Sequence, residues 1–209
     1  MVIGPSPGVS KTKRTHRAIL VDIDEVCFPF AHAYSEWLQR NGMSGLAWEG
    51  ISRYDLDAAL GRDDHDQLAE RFLNDPWTLS VPAIEGAREA LSELNKAGVS
   101  TLLCSARFAL REGAVTRSWV ARHLPGLESQ VMLTRESQDG IRIPKGHVAW
   151  ATGAEALVDD ADEHHHHLPS GCTGFLMGRR AGLPSDSPAA HSPARPVRDW
   201  AEVLTHLLD

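Results

Sequence analysis

The sequence predicts an α/β fold in which helices flank a parallel β-sheet. Short apolar segments alternate along the chain with segments of helical periodicity, which is the pattern of strand, helix and strand units. The apolar segments contain few charged residues, as expected of strands that are buried on both faces. Five such segments are predicted strands, at residues 18–21, 99–104, 130–133, 156–158 and 174–177.

Two helices follow from the spacing of their apolar residues. Between residues 84 and 98, apolar side chains recur every three or four positions, Lys96 falls in the last turn, and Gly98 suits the position after the helix end. Near the C-terminus, Asp199 is placed to cap a second helix. The apolar face of that helix is formed by Trp200, Val203, Leu204, Leu207 and Leu208. Both helices are expected to pack on the sheet.

The segment between the first two predicted strands is too long for a simple connection. Residues 28–82 span about 55 residues, several times what a strand-to-helix connection needs. We expect them to form a small helical cap inserted into a core made of residues 17–27 and 83–209. Residues 1–16 combine basic residues with Gly and Pro, which predicts a flexible tail. Residues 180–196 are expected to form a second loose segment.

The composition argues against several classes of protein. The 209 residues include 21 Lys and Arg against 28 Asp and Glu, a formal net charge of −7, which makes binding to duplex nucleic acid an unfavoured function. The three cysteines are widely spaced and form no CxxC pair, which argues against disulfides and structural zinc. No segment has the pattern of a signal peptide or a membrane span. We therefore expect a cytoplasmic protein with a small-molecule partner and no membrane partner.

Acidic or hydroxyl side chains follow three of the predicted strands. Asp22-Ile-Asp24 follows the first strand, Ser105 follows the second, and Asp159-Asp160 follows the fourth. Because the carboxyl ends of adjacent parallel strands open into one crevice, these side chains are expected to meet there. Asp22 and Asp24 are two residues apart in extended backbone and therefore face the same way.

Carboxylates gathered in one crevice require a cation. Oxygen donors without a nearby Cys or His in the same motifs favour Mg²⁺ over zinc. A second positive charge is expected from Lys145, because the chain has only four lysines and the other three lie in the tail or at the end of a surface helix. A compact ammonium at this place would neutralise a phosphate oxygen.

The order Asp-x-Asp, Ser, Lys and Asp-Asp resembles the four motifs of the haloacid dehalogenase (HAD) superfamily of phosphohydrolases. The resemblance covers roughly residues 17–209. It implies a Rossmann-like core and phosphoryl transfer through an aspartyl-phosphate. By position, it implies that Asp22 is the nucleophile and a Mg²⁺ ligand. Asp24 would be the general acid and base, with its backbone carbonyl on the metal.

The same resemblance implies roles for the remaining motif residues. Ser105 would hydrogen-bond the transferring phosphoryl group, and Lys145 would hold that group against the nucleophile. Asp160 would complete the metal site, and Asp159 would orient Lys145.

Further features resemble the 5′(3′)-deoxyribonucleotidases within this superfamily. They are the helical insert at this point of the chain, the return from it at residues 74–77 and 82–86, the stretch 132–135 and the ending 157–160. This resemblance implies a nucleoside monophosphate as the substrate. Three features depart from the family pattern. Glu25 stands where a Gly usually follows the second Asp, Ser105 is followed by Ala-Arg, and residues 138–143 lengthen the approach to Lys145.

Five residues are expected to contact the substrate. Phe28, Phe30 and Trp77 lie nearest the first motif and the far end of the insert, and would stack on a planar substrate group. Ala106 and Arg107 follow the second motif and would line the same pocket. Arg107 has two alternative roles, which are binding a second substrate charge and forming a salt bridge at a helix start.

The sequence therefore predicts a Mg²⁺-dependent phosphatase of a small phosphomonoester, with a (deoxy)nucleoside 5′-monophosphate favoured. A phosphosugar, a phosphorylated specialised metabolite and a polynucleotide 3′-phosphate stay open as substrates. The alternative from another class is a catalytically silent, nucleotide-binding regulatory protein with the same fold. A homodimer is also left open. The four consecutive histidines at residues 164–167 are expected to form a solvated loop or a first helical turn beside the site.

Overall fold

The computed structural model describes residues 17–43, 65–135, 142–178 and 193–209. Its described strands are β1 (Arg17–Val21), β2 (Val99–Phe108), β3 (Val131–Arg135), β4 (Ala156–Asp159), β5 (Thr173–Met177) and β6 (Arg195–Val197). Its described α-helices are α1 (Phe30–Arg40), α2 (His65–Leu73), α3 (Ala87–Lys96), α4 (Ala109–His123), α5 (Lys145–Thr152) and α6 (Trp200–Leu208). Short 3₁₀ helices cover Pro76–Ser80, Glu128–Gln130 and Asp162–His164.

The described strands form one sheet in the order β3-β2-β1-β4-β5-β6, and all neighbours are parallel. Strand β1 lies inside the sheet, with β2 on one side and β4 on the other. The strand order therefore reverses at β1, and ligands of such sheets bind outside the carboxyl ends of the strands at this switch point. The prediction of a Rossmann-like α/β fold is confirmed.

Alternation along β1 divides the interior into two apolar layers. Ile19 and Val21 belong to the larger cluster, whereas Leu20 belongs to a smaller cluster that includes Val148 of α5. All three β1 side chains are completely buried. Full burial of each such side chain contributes roughly 1.5–3 kcal/mol to stability. Strand β1 is therefore firmly held, and so is the residue that follows it, Asp22.

Two strands differ from the sequence expectation. Strand β2 continues past its predicted end at Cys104 as far as Phe108, with a register irregularity against β3 between Ser105 and Phe108. Strand β6 begins inside a segment that was expected to be loose. It contains Pro196 and lies at the sheet edge, where a missing N–H is tolerated. Its shortness and its proline explain why an apolar pattern does not find it.

The two helices expected from apolar spacing are present. Helix α3 begins at Ala87, because Gly86 precedes it with a left-handed φ of +79°. Helix α6 follows Asp199, whose Oδ1 accepts a hydrogen bond from the Glu202 amide at 3.0 Å. Both predictions are confirmed. None of the helices in the described ranges is long and apolar enough to cross a membrane.

The inserted segment comprises residues 28–82. Its described part is helical, and its helices α1 and α2 pack together through aromatic rings. The buried ring of Phe72 in α2 lies 5.4 Å from that of Phe30 and 5.2 Å from that of Tyr34, both in α1. Trp48, Tyr54 and residues 1–16 lie outside the described residues. The division into a core, a cap and a tail stays a prediction.

Candidate active site

The carboxyl end of β1 places Asp22 at the switch point of the sheet. Its amide donates to the Val158 carbonyl of β4 at 2.9 Å, and its Oδ1 accepts the amide of Ile23 at 2.7 Å. The backbone therefore fixes both the residue and one of its carboxylate oxygens. Asp22 is only 1% exposed, so its second oxygen requires a partner inside the protein.

Lys145 is the buried partner of Asp22. It is the first residue of α5, and its Nζ lies 2.7 Å from Asp22 Oδ2 and 2.6 Å from Asp159 Oδ2. The helix start reaches this position because residue 146 is a glycine, and a Cβ there would overlap the carbonyl oxygen of His167. One ammonium group thus bridges two carboxylates at the ends of neighbouring strands.

Burial and charge together set the protonation of this cluster. Burial raises the pKa of Asp22, and the charges of Asp159 and Asp24 add to this effect against the opposing charge of Lys145. Burial also acts to raise the pKa of Asp159, but the Lys145 charge and a hydrogen bond with His164 outweigh it and hold that pKa well below its usual range. Burial acts to lower the pKa of Lys145, but the two carboxylates outweigh it and raise that pKa. Asp159 is therefore the firmly ionised carboxylate beside Lys145.

The lowered pKa of Asp159 predicts a specific loss of stability in acid. Because the folded pKa lies below the unfolded value of about 3.9, the contribution of Asp159 is complete above that value and is lost as the pH falls below it. We expect the stability difference between the wild type and Asp159→Asn to shrink from about pH 6 to about pH 2, measured by denaturant unfolding at each pH.

Asp22→Asn is the matched control for this pH dependence. The pKa of Asp22 is raised, so its contribution is complete below the unfolded value and is lost as the pH rises through the folded value. The difference between the wild type and Asp22→Asn should therefore change with pH in the opposite direction. A difference for Asp159→Asn that stays constant across the acid range would contradict this account.

Two residues of β2 enclose Asp24. Ser105 donates its hydroxyl to Asp24 Oδ2 at 3.3 Å, and Arg107 donates Nη2 to Oδ1 at 2.7 Å and Nε to both oxygens at 3.2 Å. Arg107 is 4% exposed, donates Nη1 to Thr116 at 3.1 Å, and lies over the Phe28 ring. Arg107 therefore forms an internal salt bridge, as in the salt-bridge alternative, although within a strand, and a contact with substrate stays a prediction.

The other expected substrate contacts are also largely covered. Phe28 is completely buried and Phe30 is 5% exposed, and both pack against other aromatic rings. Ala106 is 8% exposed within β2. Trp77 is half-buried, and the guanidinium of Arg40 lies 4.7 Å from its ring centre. Neighbouring rings and a guanidinium occupy the faces of these aromatic residues, and their stacking on a substrate stays a prediction.

Glu25 has a left-handed backbone, with a φ of +58°, and is the one non-glycine residue in the described ranges with a positive φ. A glycine would adopt this conformation without strain. The side chain of Glu25 compensates, since its Oε1 accepts the amide of Ala31 at 2.5 Å in the first turn of α1. A carboxylate at this end of a helix satisfies a free amide and complements the helix dipole.

The double role of residue 25 predicts different effects for two substitutions. Glu25→Ala removes the acceptor for Ala31 and keeps the left-handed backbone, so we expect the free energy of unfolding to fall by about 1 kcal/mol. Glu25→Gly removes the same acceptor but relieves about 1 kcal/mol of backbone strain, and should stay near the wild type. Denaturant unfolding measures both. Equal destabilisation by the two variants would contradict a strained backbone at residue 25.

An oxygen-only donor set is available at the switch point for a divalent cation. Asp160 directly follows β4 and is half-buried, and Asp22 and Asp24 follow β1, which pairs with β4. Two carboxylates and the backbone carbonyl of Asp24 are donors of the kind that Mg²⁺ prefers. The chemistry of these residues therefore fits the expected magnesium site.

A second group of potential ligands is less suited to a metal ion. Ligand atoms of Asp22, Asp159 and His164 lie within 4.8 Å of one another. The Lys145 ammonium already lies between the two carboxylates of this group, within 2.7 Å of each. A cation there would have to displace Lys145 from both partners, so we assign this group to binding the lysine.

The run of histidines at residues 164–167 begins in a helical turn, which was one of its two expected forms, but its first two side chains are less solvated than expected. The side chain of His164 is 9% exposed and contacts Asp159. His165 is 2% exposed and packs against β5 at Gly174, where a Cβ would lie 2.5 Å from its Nδ1. The last two histidines are exposed. A 3₁₀ turn at Asp162–His164 folds the chain back over the end of β4.

The cysteines take no part in nucleophilic chemistry at this site. All three are free thiols, as expected. Burial raises the pKa of Cys27, and it raises the pKa of Cys104 to about 12. Both thiols are therefore protonated near neutral pH, which makes them poor nucleophiles.

Comparison with known proteins identifies the family of this chain. The family model described as "5′ nucleotidase, deoxy (Pyrimidine), cytosolic type C protein" matches residues 16–143, which is more than half of the chain. The matched range includes Asp22, Asp24 and Ser105, whereas Lys145 lies beyond it. None of the curated proteins that were compared matches the chain.

Solved structures share the fold over most of their length. A HAD family hydrolase from Deinococcus radiodurans R1, with bound phosphate and sodium, is 22% identical, with 89% of this chain and 92% of that chain covered and a TM-score of 0.55. A structure described as a predicted phosphatase from Clostridium acetobutylicum is 10% identical, with coverage of 92% and 98% and a TM-score of 0.62. A HAD-superfamily hydrolase from Ehrlichia chaffeensis is 13% identical, with coverage of 92% and 97% and a TM-score of 0.51.

The family match, together with the fold, identifies a phosphohydrolase of the HAD superfamily. Within that superfamily, the chain belongs to the family of cytosolic type C 5′-nucleotidases. It is therefore a 5′-nucleotidase-like phosphomonoester hydrolase.

Proposed function

We propose that this phosphatase hydrolyses (deoxy)nucleoside 5′-monophosphates through a phosphorylated Asp22, with Mg²⁺ as its cofactor. The observation that carries the proposal is the contact of Asp22 with Lys145, at 2.7 Å, at the switch point of a chain that belongs to a nucleotidase family. Phosphoryl transfer depends mainly on positioning and on neutralising oxygen charge. A fixed carboxylate beside a fixed ammonium supplies both.

In the first step, Asp22 attacks the phosphorus of the monoester. A bond forms between an oxygen of Asp22 and phosphorus, and the bond between phosphorus and the ester oxygen breaks. Asp24 gives its proton to the departing oxygen, so the nucleoside leaves as an alcohol. Lys145 and Ser105 hold the phosphoryl oxygens during the transfer.

In the second step, water releases the phosphate from Asp22. Asp24, now a carboxylate, takes a proton from the water, whose oxygen bonds to phosphorus as the bond to Asp22 breaks. The products are inorganic phosphate and a free Asp22 carboxylate, with Asp24 protonated again. Mg²⁺ would be held by Asp22, Asp160 and the Asp24 carbonyl, and would neutralise charge on the phosphoryl oxygens when bound.

The contact between Arg107 and Asp24 has a consequence for the order of events. A guanidinium can only donate hydrogen bonds, so in this arrangement the oxygens of Asp24 are acceptors. To donate a proton to the leaving oxygen, Asp24 has to turn at least one oxygen away from Arg107. Asp24 and Asp22 are each 1% exposed, so the substrate also has to displace the residues that cover them. Arg107 is therefore a positioning residue for Asp24.

A panel of phosphomonoesters tests the proposed function. We expect the full chain with Mg²⁺ to release phosphate from nucleoside 5′-monophosphates with a higher kcat/KM than from 3′-monophosphates, phosphosugars or an oligonucleotide 3′-phosphate. EDTA should abolish phosphate release, and added Mg²⁺ should restore it. The reason is that Mg²⁺ would neutralise the negative charge on the phosphoryl oxygens, and without the ion this charge is left uncompensated.

Each alternative has its own outcome in this panel. A preference for a phosphosugar or a 3′-phosphate end would overturn the assignment of the substrate. Full turnover in EDTA would overturn the role of the metal. Binding of nucleotides without turnover of any compound would favour a silent regulatory protein.

A further inference from the structure

The histidine run lies against the buried ion pair, and its members have different surroundings. His164 contacts Asp159, and the backbone carbonyl of His167 packs against Gly146 at the start of α5. The run is therefore held between the end of β4, which carries Asp159, and the helix start that carries Lys145. The proposed function uses none of these histidines.

The hydrogen bonds of His164 identify which ring nitrogen carries the proton. Its Nε2 lies 2.7 Å from Nη2 of Arg142. A guanidinium nitrogen only donates, so Nε2 has to accept, and the proton of the neutral ring is on Nδ1. Nδ1 lies 2.9 Å from both carboxylate oxygens of Asp159. His164 therefore donates a hydrogen bond to Asp159, and Arg142 holds the ring in the tautomer that allows it.

Three donors fix the orientation of the Asp159 carboxylate. His164 contacts both oxygens, the amide of Ala161 donates to Oδ1 at 2.9 Å, and Lys145 donates to Oδ2 at 2.6 Å. Asp159 has no exposed surface. Because both oxygens of this buried carboxylate accept hydrogen bonds, the carboxylate is held in one orientation. Its Oδ2 in turn fixes the ammonium group of Lys145, which lies at the end of a flexible side chain.

We propose that His164 is a positioning residue for phosphoryl transfer: it fixes Asp159, which holds the Lys145 ammonium against Asp22. This inference rests on the proposed function, because it assigns to Lys145 the role of holding the phosphoryl group. Asp159 is the charge partner of Lys145, and His164 orients the Asp159 carboxylate. Without the Nδ1 donor, the buried Asp159 carboxylate loses one of its hydrogen bonds and is less firmly oriented. The Lys145 ammonium can then move away from the position at which it holds the phosphoryl group.

Three variants at two histidines separate positioning from a general structural role. His164→Ala removes the donor. His164→Asn keeps an N–H close to the position of Nδ1. His167→Ala is the matched control, because it lies in the same run with an exposed side chain. We expect His164→Ala to lower kcat for phosphomonoester hydrolysis by roughly 10- to 100-fold with little change in KM, as loss of an outer partner does at a comparable site.

His164→Asn should retain kcat within about threefold of the wild type, and His167→Ala should retain all of it. A second readout does not use activity: long-range ¹H–¹⁵N correlation of the full chain should show a signal from a neutral histidine protonated at Nδ1, and that signal should be absent in His164→Asn. A circular dichroism melt checks that each variant is folded.

The outcomes distinguish this inference from the function on which it rests. An active wild type with equal kcat in His164→Ala and His167→Ala overturns the positioning role. Equal loss in His164→Ala and His164→Asn also overturns it, since the Nδ1 donor would then not be the relevant group. A neutral His164 protonated at Nε2 contradicts the hydrogen bond to Asp159. A wild type that hydrolyses no phosphomonoester overturns the proposed function, and this inference with it.

Discussion

Asp22→Asn is expected to abolish phosphate release, with kcat at least about 10³-fold below that of the wild type. An amide oxygen is a far weaker nucleophile than a carboxylate oxygen, and the side chain is otherwise the same size. The protein should remain folded, because burial raises the pKa of Asp22 and the charged form is therefore costly inside the protein. Steady-state phosphate release and a thermal melt measure the two effects.

A matched control for Asp22→Asn is Asp162→Asn. Asp162 lies close to the same site at the start of a 3₁₀ turn and contacts the exposed His166 at 3.0 Å. It has no part in the proposed steps, so its replacement should leave kcat near the wild-type value. Appreciable turnover by folded Asp22→Asn would contradict the assignment of the nucleophile.

Lys145→Met should impair both activity and stability. Removing the ammonium leaves the buried carboxylates of Asp22 and Asp159 side by side, which we expect to cost about 3–5 kcal/mol of stability. The phosphoryl group also loses its fixed cation, so kcat should fall by roughly 10²- to 10³-fold. Denaturant unfolding and phosphate release separate the two losses.

Lys96→Met is the same substitution at an exposed site. Lys96 pairs with Glu93 at 2.8 Å on the surface of α3, and 68% of its side chain is exposed. Such a pair contributes at most about 1 kcal/mol, so stability and kcat should stay close to the wild type. Adding Asp159→Asn to Lys145→Met should restore stability but not activity, because it removes the second unpaired charge. A Lys145→Met protein as stable as the wild type would contradict the buried bridge.

The parts of this protein that sequence reasoning could predict are those with a local signal. Alternating apolar segments predict the sheet, because each strand is buried whatever its neighbours are. Asp22 and Asp24 stand out since they follow a buried strand two residues apart. Lys145 stands out because lysines are rare in this chain. In each case the residue type and its position along the element are sufficient.

The features that the sequence pattern did not reveal depend on contacts between distant segments. Arg107 meets Asp24 because β2 runs on past Cys104 beside β1, and its apolar segment gives no sign of that extension. Phe28 is enclosed because α2 brings Phe72 to it from about 40 residues further along the chain. A sequence pattern that identifies a residue as aromatic does not decide whether its ring faces substrate or core.

The histidine run illustrates the same limit for polar residues. A short tract of identical side chains carries no periodicity, so it was assigned to solvent. The buried position of His164 follows from the turn after β4 and from Arg142, which arrives from a different part of the chain. Asp159 is only five residues away, but Arg142 is 22 residues away, and both contacts are needed to fix the tautomer of His164.

The central claim is that Asp22 becomes phosphorylated, and the Asp24→Asn variant allows this to be measured directly. With p-nitrophenyl phosphate, the leaving group requires no proton, so the first step should proceed while the second, which needs Asp24 as a base, is slow. Rapid quenching followed by borohydride reduction converts an acyl phosphate to an alcohol. We predict that mass spectrometry will find homoserine at position 22 in this variant and none when Asp22→Asn is added. Turnover of the substrate without homoserine at position 22, or with the reduced residue at another position, would contradict phosphorylation of Asp22.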